Sequence, residues 1–142
     1  MEITTSVDLQ GTLKRIESLM VSNKDRKKAL GKAALGQVRA IKTRTAKGIS
    51  LSGYGFKNYS HEYLRFKRDT GHDSGFINLI YSGRMLGDMG VTKSTSFEAV
   101  VSFHRSSERK KAEANQKTRP FMGITSDEQE LIVKRFKKAL FK

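Results

Sequence analysis

The 142-residue chain contains no cysteine, no tryptophan and a single proline. The lack of cysteine excludes a disulfide framework, a thiolate metal site and a cysteine nucleophile. One proline among twelve glycines excludes collagen-like and proline-rich disordered classes. No apolar run approaches the roughly 18–20 residues that a membrane-spanning helix needs, and the first residues lack a basic patch followed by an apolar core. We therefore expect neither a membrane segment nor a secretory signal.

Acidic residues are scarce relative to basic ones. The chain has 28 Lys and Arg against 14 Asp and Glu, a formal net charge of +14. The excess is uneven, because residues 14–47 carry eleven basic residues against two acidic ones. A surface of this kind attracts nucleic-acid phosphate, acidic protein surfaces or anionic lipid.

Motifs that would indicate an enzyme are missing. The three histidines lie far apart and no HExxH pattern occurs, so a zinc hydrolase lacks its first ligands. The sequence His72-Asp73-Ser74 resembles a catalytic triad in letters only, since triad side chains must converge from separate elements. Gly83, Gly87 and Gly90 do not form a phosphate loop, because GxxxxGK[ST] is absent. We expect no catalytic, metal or cofactor site, and we interpret these glycines as marking tight packing of a short helix against a hairpin.

The strongest pattern is a long amphipathic helix from Asn23 or Lys24 to about Thr45. Its apolar residues share one face: Leu30, Ala34, Val38 and Ile41. The opposite side carries three cations: Lys28, Lys32 and Arg39. Three interpretations of this positive face stay open: a solvated surface, a nucleic-acid contact, and a contact with an acidic protein. We expect it to meet an anionic surface in an assembly, and we favour protein over DNA.

Shorter signals predict the other elements. The first is a short helix from Asp8 to about Met20, and the second is a helix capped by Ser60 with Tyr63 and Phe66 facing the core. A candidate strand at 76–81, a short helix capped by Ser82, and a hairpin of strands 89–94 and 97–104 follow. A basic helix capped by Ser106 or Ser107 comes next, and a last helix begins with a Thr125-x-x-Glu128 capping box. Together they predict an α+β fold in one domain. An antiparallel, hairpin-based sheet would pack against the long helix and the C-terminal helix.

We expect the segment around the only proline to be docked rather than free. Pro120 fixes its own φ and biases Arg119 towards extended geometry. Phe121 and Ile124 would then anchor the start of the last helix as apolar side chains.

Read in order, several stretches resemble the virion-morphogenesis, or tail-completion, proteins of tailed bacteriophages. The resemblance covers roughly residues 24–141. It rests on these pieces: the long basic helix ending near Thr45, Gly53-Tyr54-Gly55-Phe56, Tyr59-Ser60, Tyr63-x-x-x-Lys67, Asn78-Leu79, Ser82-Gly83-Arg84-Met85-Leu86, a hairpin ending at Phe103, Lys111-Ala112-Glu113-Ala114-Asn115-Gln116, and Arg119-Pro120-Phe121-Met122-Gly123-Ile124-Thr125 before an acidic-start helix. The order of the pieces is more specific than any one of them.

The resemblance implies a single α+β domain, with residues 1–23 as an N-terminal segment and residues 24–142 as the tail-completion-like core. It implies a structural virion protein at the head–tail junction, assembled in the bacterial cytoplasm, without catalysis or cofactor. Its implied partners are further copies of itself in a ring and neighbouring connector and tail proteins, with the DNA in the channel as a further candidate. Gly83, Arg119, Pro120 and Phe121 are the candidate docking residues. A sequence-nonspecific nucleic-acid-binding protein and a tail terminator ring are the alternatives.

Overall fold

A three-stranded antiparallel sheet and five helices make up the part of the chain that the structure describes. The structure is a computed structural model, and it describes residues 3–9, 11, 14, 21–72, 77–80 and 82–141. In chain order the elements are β1 (Thr5–Asp8), α1 (Asn23–Ala46), α2 (His61–Asp69), α3 (Arg84–Asp88), β2 (Met89–Ser94), β3 (Glu98–Phe103), α4 (Ser106–Thr118) and α5 (Ser126–Leu140). The predicted α+β class is confirmed.

The hairpin of β2 and β3 is confirmed and forms the centre of the sheet. Met89 pairs with Phe103, and the pairing shifts by one residue between Val91 and Lys93. This shift is a β-bulge, which increases the local twist of the strand. The turn is closed by the backbone N–H of Thr95, which donates to the Glu98 carbonyl at 2.8 Å. The three inward residues of β3 are fully buried: Ala99, Val101 and Phe103.

The strand β1 was not predicted. It pairs antiparallel with the other side of β3, with Thr5 opposite Val101 and Val7 opposite Ala99, so the sheet order is β1-β3-β2. Its burial alternates along four residues, which is the period-2 pattern of a strand with one packed face. The helix predicted after Asp8 lies mostly outside the described residues.

The long helix α1 is confirmed and covers one face of the sheet. Ser22 caps it, since its Oγ accepts from the Asp25 backbone N–H at 3.2 Å. The four apolar residues predicted to face the core are all buried: Leu30, Ala34, Val38 and Ile41. α1 packs against β2, β3 and α5, so its apolar face joins the hydrophobic core shared by sheet and helices. No helix in the described ranges is long and apolar enough to cross a membrane.

Three local predictions are wrong. Residues 77–80 form no strand, because Leu79 has a positive φ of 59° that breaks an extended run. The N-cap of α3 is Gly83 rather than Ser82. The N-cap of α4 is Arg105 rather than Ser106 or Ser107, and its backbone N–H donates to Asp88 Oδ2 at 2.8 Å.

The last helix begins with the predicted capping box. Thr125 Oγ1 accepts from the Glu128 backbone N–H at 3.2 Å, and the Glu128 carboxylate accepts from the Thr125 N–H at 3.3 Å. Two apolar residues of α5, Ile132 and Phe136, are fully buried. The capping box therefore fixes the point at which the chain turns from residues 119–124, which we call the proline segment, into the last helix.

Candidate functional site

The predicted cations of α1 lie on one exposed face of the helix. Lys28, Lys32 and Arg39 are exposed, and Leu35, 50% exposed, lies among them. At about 100° per residue these four positions fall within about 60° of arc. At about 1.5 Å per residue they extend over about 16 Å, or three turns. We call these four residues the α1 stripe.

The opposite flank of α1 is held closely by α5. A Cβ on Gly36 would lie 2.7 Å from Arg135 Cδ, so this glycine permits the Arg135 side chain to cross the helix. Gln37, fully buried, donates from Nε2 to Glu128 Oε2 at 2.9 Å and to the Gly123 carbonyl at 3.0 Å. The α1 stripe is thus presented on a helix whose other side is fixed.

Glu128 is the centre of a polar cluster that joins α1 to the proline segment. Its Oε1 accepts from Arg44 Nε at 2.9 Å, and both side chains are only 11% exposed. Arg44 Nη1 also donates to the Phe121 carbonyl at 3.0 Å. Burial alone would raise the pKa of the Glu128 carboxyl, but the hydrogen bonds from Gln37, Arg44 and the Thr125 backbone outweigh it and hold this pKa below its ordinary value.

Phe121 lies fully buried within the proline segment. The centroids of the Phe121 and Phe103 rings are 6.4 Å apart in an edge-on arrangement, so Phe121 packs directly on β3. The side chain of Gln116 satisfies the surrounding backbone: its Oε1 accepts from the N–H groups of Phe121 and Met122, each at 3.0 Å. Its Nε2 donates to the Met122 carbonyl at 3.1 Å. A segment with its backbone groups paired in this way has little freedom to move.

Arg119 and Pro120 attach the same segment to the loop of residues 47–60, which joins α1 to α2 and contains Gly48, Gly53 and Gly55. The Arg119 guanidinium donates to the carbonyls of Lys57 and Asn58, both at 2.8 Å, and its Cζ lies 4.6 Å from the centre of the Tyr59 ring. The Pro120 carbonyl accepts from the Leu51 N–H at 2.9 Å. The two residues therefore hold the loop at two places, at Lys57 and Asn58 and at Leu51.

A groove of about 550 Å³ lies beside Arg119, between α2, α3 and α4. Its described lining carries three cations and no carboxylate. The lining residues are Tyr59, Ser60, Tyr63, Phe66, Leu79, Ser82, Gly83, Arg84, Met85, Lys111, Asn115 and Arg119. The prediction that Phe66 faces the core is wrong, because its side chain is 49% exposed on the groove wall.

Tyr59, which lines the groove, is held in place by a buried lysine. Lys67 is 1% exposed, donates from Nζ to the Ile80 carbonyl at 3.1 Å and lies 5.4 Å from the centre of the Tyr59 ring. The Tyr59 hydroxyl accepts from the Leu79 N–H at 3.2 Å. Burial raises the pKa of the Tyr59 phenol, against the lowering effects of Leu79 and Arg119, so this hydroxyl stays protonated near neutral pH.

Gly83 serves a different purpose from the one predicted. A Cβ at Gly83 or Gly87 would meet no atom within 4 Å, so the prediction of tight packing is wrong for these two glycines. A Cβ at Gly90 would lie 2.6 Å from His104 Nε2, so Gly90 does lie close against a neighbouring side chain. Gly83 instead has a φ of 79°, a left-handed conformation in which a Cβ is unfavourable. It turns the chain into α3 and so places Arg84 and Met85 at the groove.

Sequence reasoning missed several residues of these sites. It named neither Gln37 nor Arg44 as a partner of Glu128, although an uncharged glutamine next to the apolar face of α1 is a usable signal. It also missed the burial of Lys67, which no local pattern indicates.

No group of three His, Cys, Asp or Glu side chains in the described ranges could hold a metal ion. In comparisons with known proteins, no family model, no curated protein and no solved structure matches the chain. Among the described residues, the two candidate interaction surfaces considered below are the α1 stripe and the groove.

Proposed function

We propose that this protein is a structural component of a tailed-phage virion. In this proposal it is a neck or tail-completion protein that joins the tail to the DNA-filled head. It acts as a ring of copies, is assembled in the bacterial cytoplasm, and performs no catalysis.

The observation that carries the proposal is the meeting of the stretches that resemble the phage family. Leu79 and the Ser82–Met85 stretch line the groove together with Arg119, about 35 residues further along the chain. Tyr59 and Tyr63, from the earlier matching stretch, complete the wall. Pieces that resemble a family only by chance have no reason to converge on one site. Their convergence supports reading them as one functional unit.

The α1 stripe supplies a second argument. A joining protein must present binding surfaces to its neighbours, and a helix with one side packed and one side cationic is suited to that task. The same stripe also favours the first alternative, a sequence-nonspecific nucleic-acid-binding protein. For a protein that contacts n phosphates, the logarithm of the DNA-binding constant falls with the logarithm of the salt concentration at a slope of about −0.9n. A titration of duplex DNA at several salt concentrations therefore separates a nucleic-acid-binding protein from a joining protein.

The experiment that tests the proposal is to locate the protein in purified particles. Gradient-purified virions are analysed by mass spectrometry, and an antibody against the protein, carrying gold, is imaged by electron microscopy. We expect the protein in the virions and the gold at the head–tail junction. Gold on isolated tails that never met a head would favour the terminator ring instead. Absence of the protein from purified virions would contradict both virion readings.

A further inference from the structure

The described lining of the groove carries positive charge and no negative charge. Arg84 comes from α3, Lys111 comes from α4, and Arg119 directly follows α4. The groove lies between three helices, and every carboxylate of these helices lies outside the lining. They are Glu62 and Asp69 of α2, Asp88 of α3, and Glu108 and Glu113 of α4. An anionic ligand would therefore meet no described carboxylate in the groove.

The protein already uses the three cations to different degrees. Lys111 Nζ lies 3.2 Å from Glu108 Oε1, so these two charges largely cancel. Arg119 donates to backbone carbonyls, which hold its guanidinium in place without neutralising its charge. The Arg84 side chain is exposed and forms no ion pair with a residue that the structure describes. Arg84 and Arg119 therefore supply the net positive charge that a ligand carboxylate would meet.

The apolar part of the lining is more deeply buried than the charges. Leu79 and Met85 are 8% and 7% exposed, whereas Phe66, on the wall, is 49% exposed. The Lys111 side chain is 56% exposed and Arg84 is also exposed, so the charge lies nearer the surface. An apolar interior with a few polar groups at its margin is the usual anatomy of a binding site. A matching ligand must offer a large apolar group next to negative charge.

A nucleic-acid strand fits this lining less well than a peptide does. Its bases bind by stacking on flat aromatic rings, but cations of Lys67 and Arg119 already lie over the Tyr59 ring. The Tyr63 ring also contacts Tyr59 edge-on, with 4.8 Å between the ring centroids. These neighbours crowd the ring on which a base would stack, whereas an aliphatic side chain needs no flat platform.

We propose that the groove binds an acidic peptide segment of another protein, anchored by one large apolar side chain. The anchor packs against Leu79, Met85 and Phe66, and a carboxylate beside it faces Arg84. Methionine is flexible and polarizable, so Met85 can adapt to an aliphatic or an aromatic anchor. The volume of about 550 Å³ lies within the range of about 300–1,000 Å³ that is common for ligand sites. The inference deepens the proposed function by giving the chemistry of one neighbour, and it rests on that function for the setting of the contact.

The test uses the purified full chain and two short labelled peptides. Both peptides carry glutamates on each side of a central residue, which is leucine in one and serine in the other. Binding is measured by fluorescence anisotropy at about 150 mM salt, where the Debye length of about 8 Å screens non-specific attraction to a basic protein. A labelled single-stranded DNA of random sequence is the third probe. Chemical-shift changes of the ¹⁵N-labelled wild-type protein show where each probe binds.

We expect the shift changes to concentrate at Gly83, Arg84 and the side-chain amide of Asn115. The leucine peptide should bind at least roughly tenfold more tightly than the serine peptide, because it buries one leucine. Phe66→Ser should weaken the leucine peptide by roughly fivefold. Phe97→Ser removes a matched phenylalanine, 54% exposed, from the hairpin turn, and it should leave the affinity unchanged.

The charge is tested separately. Arg84→Gln should weaken both peptides by roughly threefold to fivefold, the factor expected of one exposed ion pair, and Arg84→Lys should restore most of the loss. Arg39→Gln removes the same charge from the α1 stripe and should have no effect. Unchanged melting temperatures would verify that the variants are folded, and the comparison of the two peptides on wild type needs no variant.

Several results would overturn the inference. They are the absence of shift changes at the groove, equal affinity for the leucine and serine peptides, and equal effects of Phe66→Ser and Phe97→Ser. DNA binding that Phe66→Ser weakens as much as peptide binding would assign the groove to nucleic acid instead. Because the peptides are measured on the isolated protein, the inference can fail while particles still require the protein. It can equally hold if the protein proves to be absent from virions.

Discussion

The pair formed by Glu128 and Arg44 should be strongly coupled, because it is the contact through which α1 holds the proline segment. The two side chains are each 11% exposed and their nearest atoms are 2.9 Å apart. Removing one member of a buried pair leaves the other charge without a partner, which costs about 3–5 kcal/mol in fully buried sites. Since some water reaches this pair, we expect about 2–3 kcal/mol for Glu128→Gln.

The geometry also predicts how a double replacement behaves. In Glu128→Gln the amide oxygen can still accept from Gln37 and from the Thr125 backbone, but its NH₂ group then faces the Arg44 guanidinium, donor to donor. Replacing Arg44 by Met removes that conflict. The double variant should therefore lose less stability than the sum of the single losses, by about 1–2 kcal/mol.

Urea denaturation measures this coupling. With a slope of about 2 kcal/mol per molar for a chain of this size, Glu128→Gln should lower the midpoint by about 1–1.5 M. Single losses that add to within about 0.5 kcal/mol would refute the reasoning, because independent sites add to that accuracy.

The pH dependence supplies a separate check. Because the pKa of Glu128 is lowered below its ordinary 4.5 in the folded state, its charged form stabilises the fold above that pH. The difference in stability between wild type and Glu128→Gln should be full at about pH 7 and shrink as the pH falls below 4.5 through the folded pKa. A difference that grows on acidification would contradict the assigned direction.

Three other predictions follow from the described contacts. Phe121→Ala should cost about 3–5 kcal/mol, the usual loss for a fully buried phenylalanine, and an unchanged melting temperature would show that the segment is only a tether. Gly83→Ala should destabilise by about 1–2 kcal/mol because of its positive φ, whereas Gly87→Ala, in helical backbone with open space around it, should be neutral or stabilise by up to about 1 kcal/mol; equal effects in thermal melts would refute this distinction. Nuclease, peptidase and nucleotidase assays with and without divalent metal should stay at background, and an activity that co-purifies and disappears with one polar substitution would contradict a structural role.

The elements that could be predicted from the sequence are those with local signals. The helix α1 has its apolar period, α5 has the capping box of Thr125 and Glu128, and the hairpin has its alternation and a short turn. Each of these signals lies within a few residues of the structure it specifies. That is why the α+β class could be predicted from the residues alone.

What could not be predicted depends on distant partners. β1 is four residues long, and its residues pair with residues of β3 that lie 90 to 96 positions away, so no short window of sequence contains both strands. Arg44 looks like one more cation of a basic helix until Glu128, 84 residues away, is placed beside it. Phe66 has the spacing of a core residue, yet it lies on the groove, because the buried side chain of α2 is its neighbour Lys67, which packs against Tyr59.

The candidate site was predicted in part. The cations of the α1 stripe were named from helical spacing alone, and the structure places them on one exposed face. Leu35 was not named, because a lone apolar residue outside the core stripe carries no periodic signal. The groove was not foreseen as a site, although most of its lining belongs to the stretches that resemble the phage family.

The most direct test of the proposed function is electron microscopy of the particles made when the gene for this protein is disrupted in the genome that encodes it. The account predicts DNA-filled heads and separate tails, with joined particles restored by supplying the intact protein in trans. Normal tailed, infectious particles in the disrupted background would contradict the account.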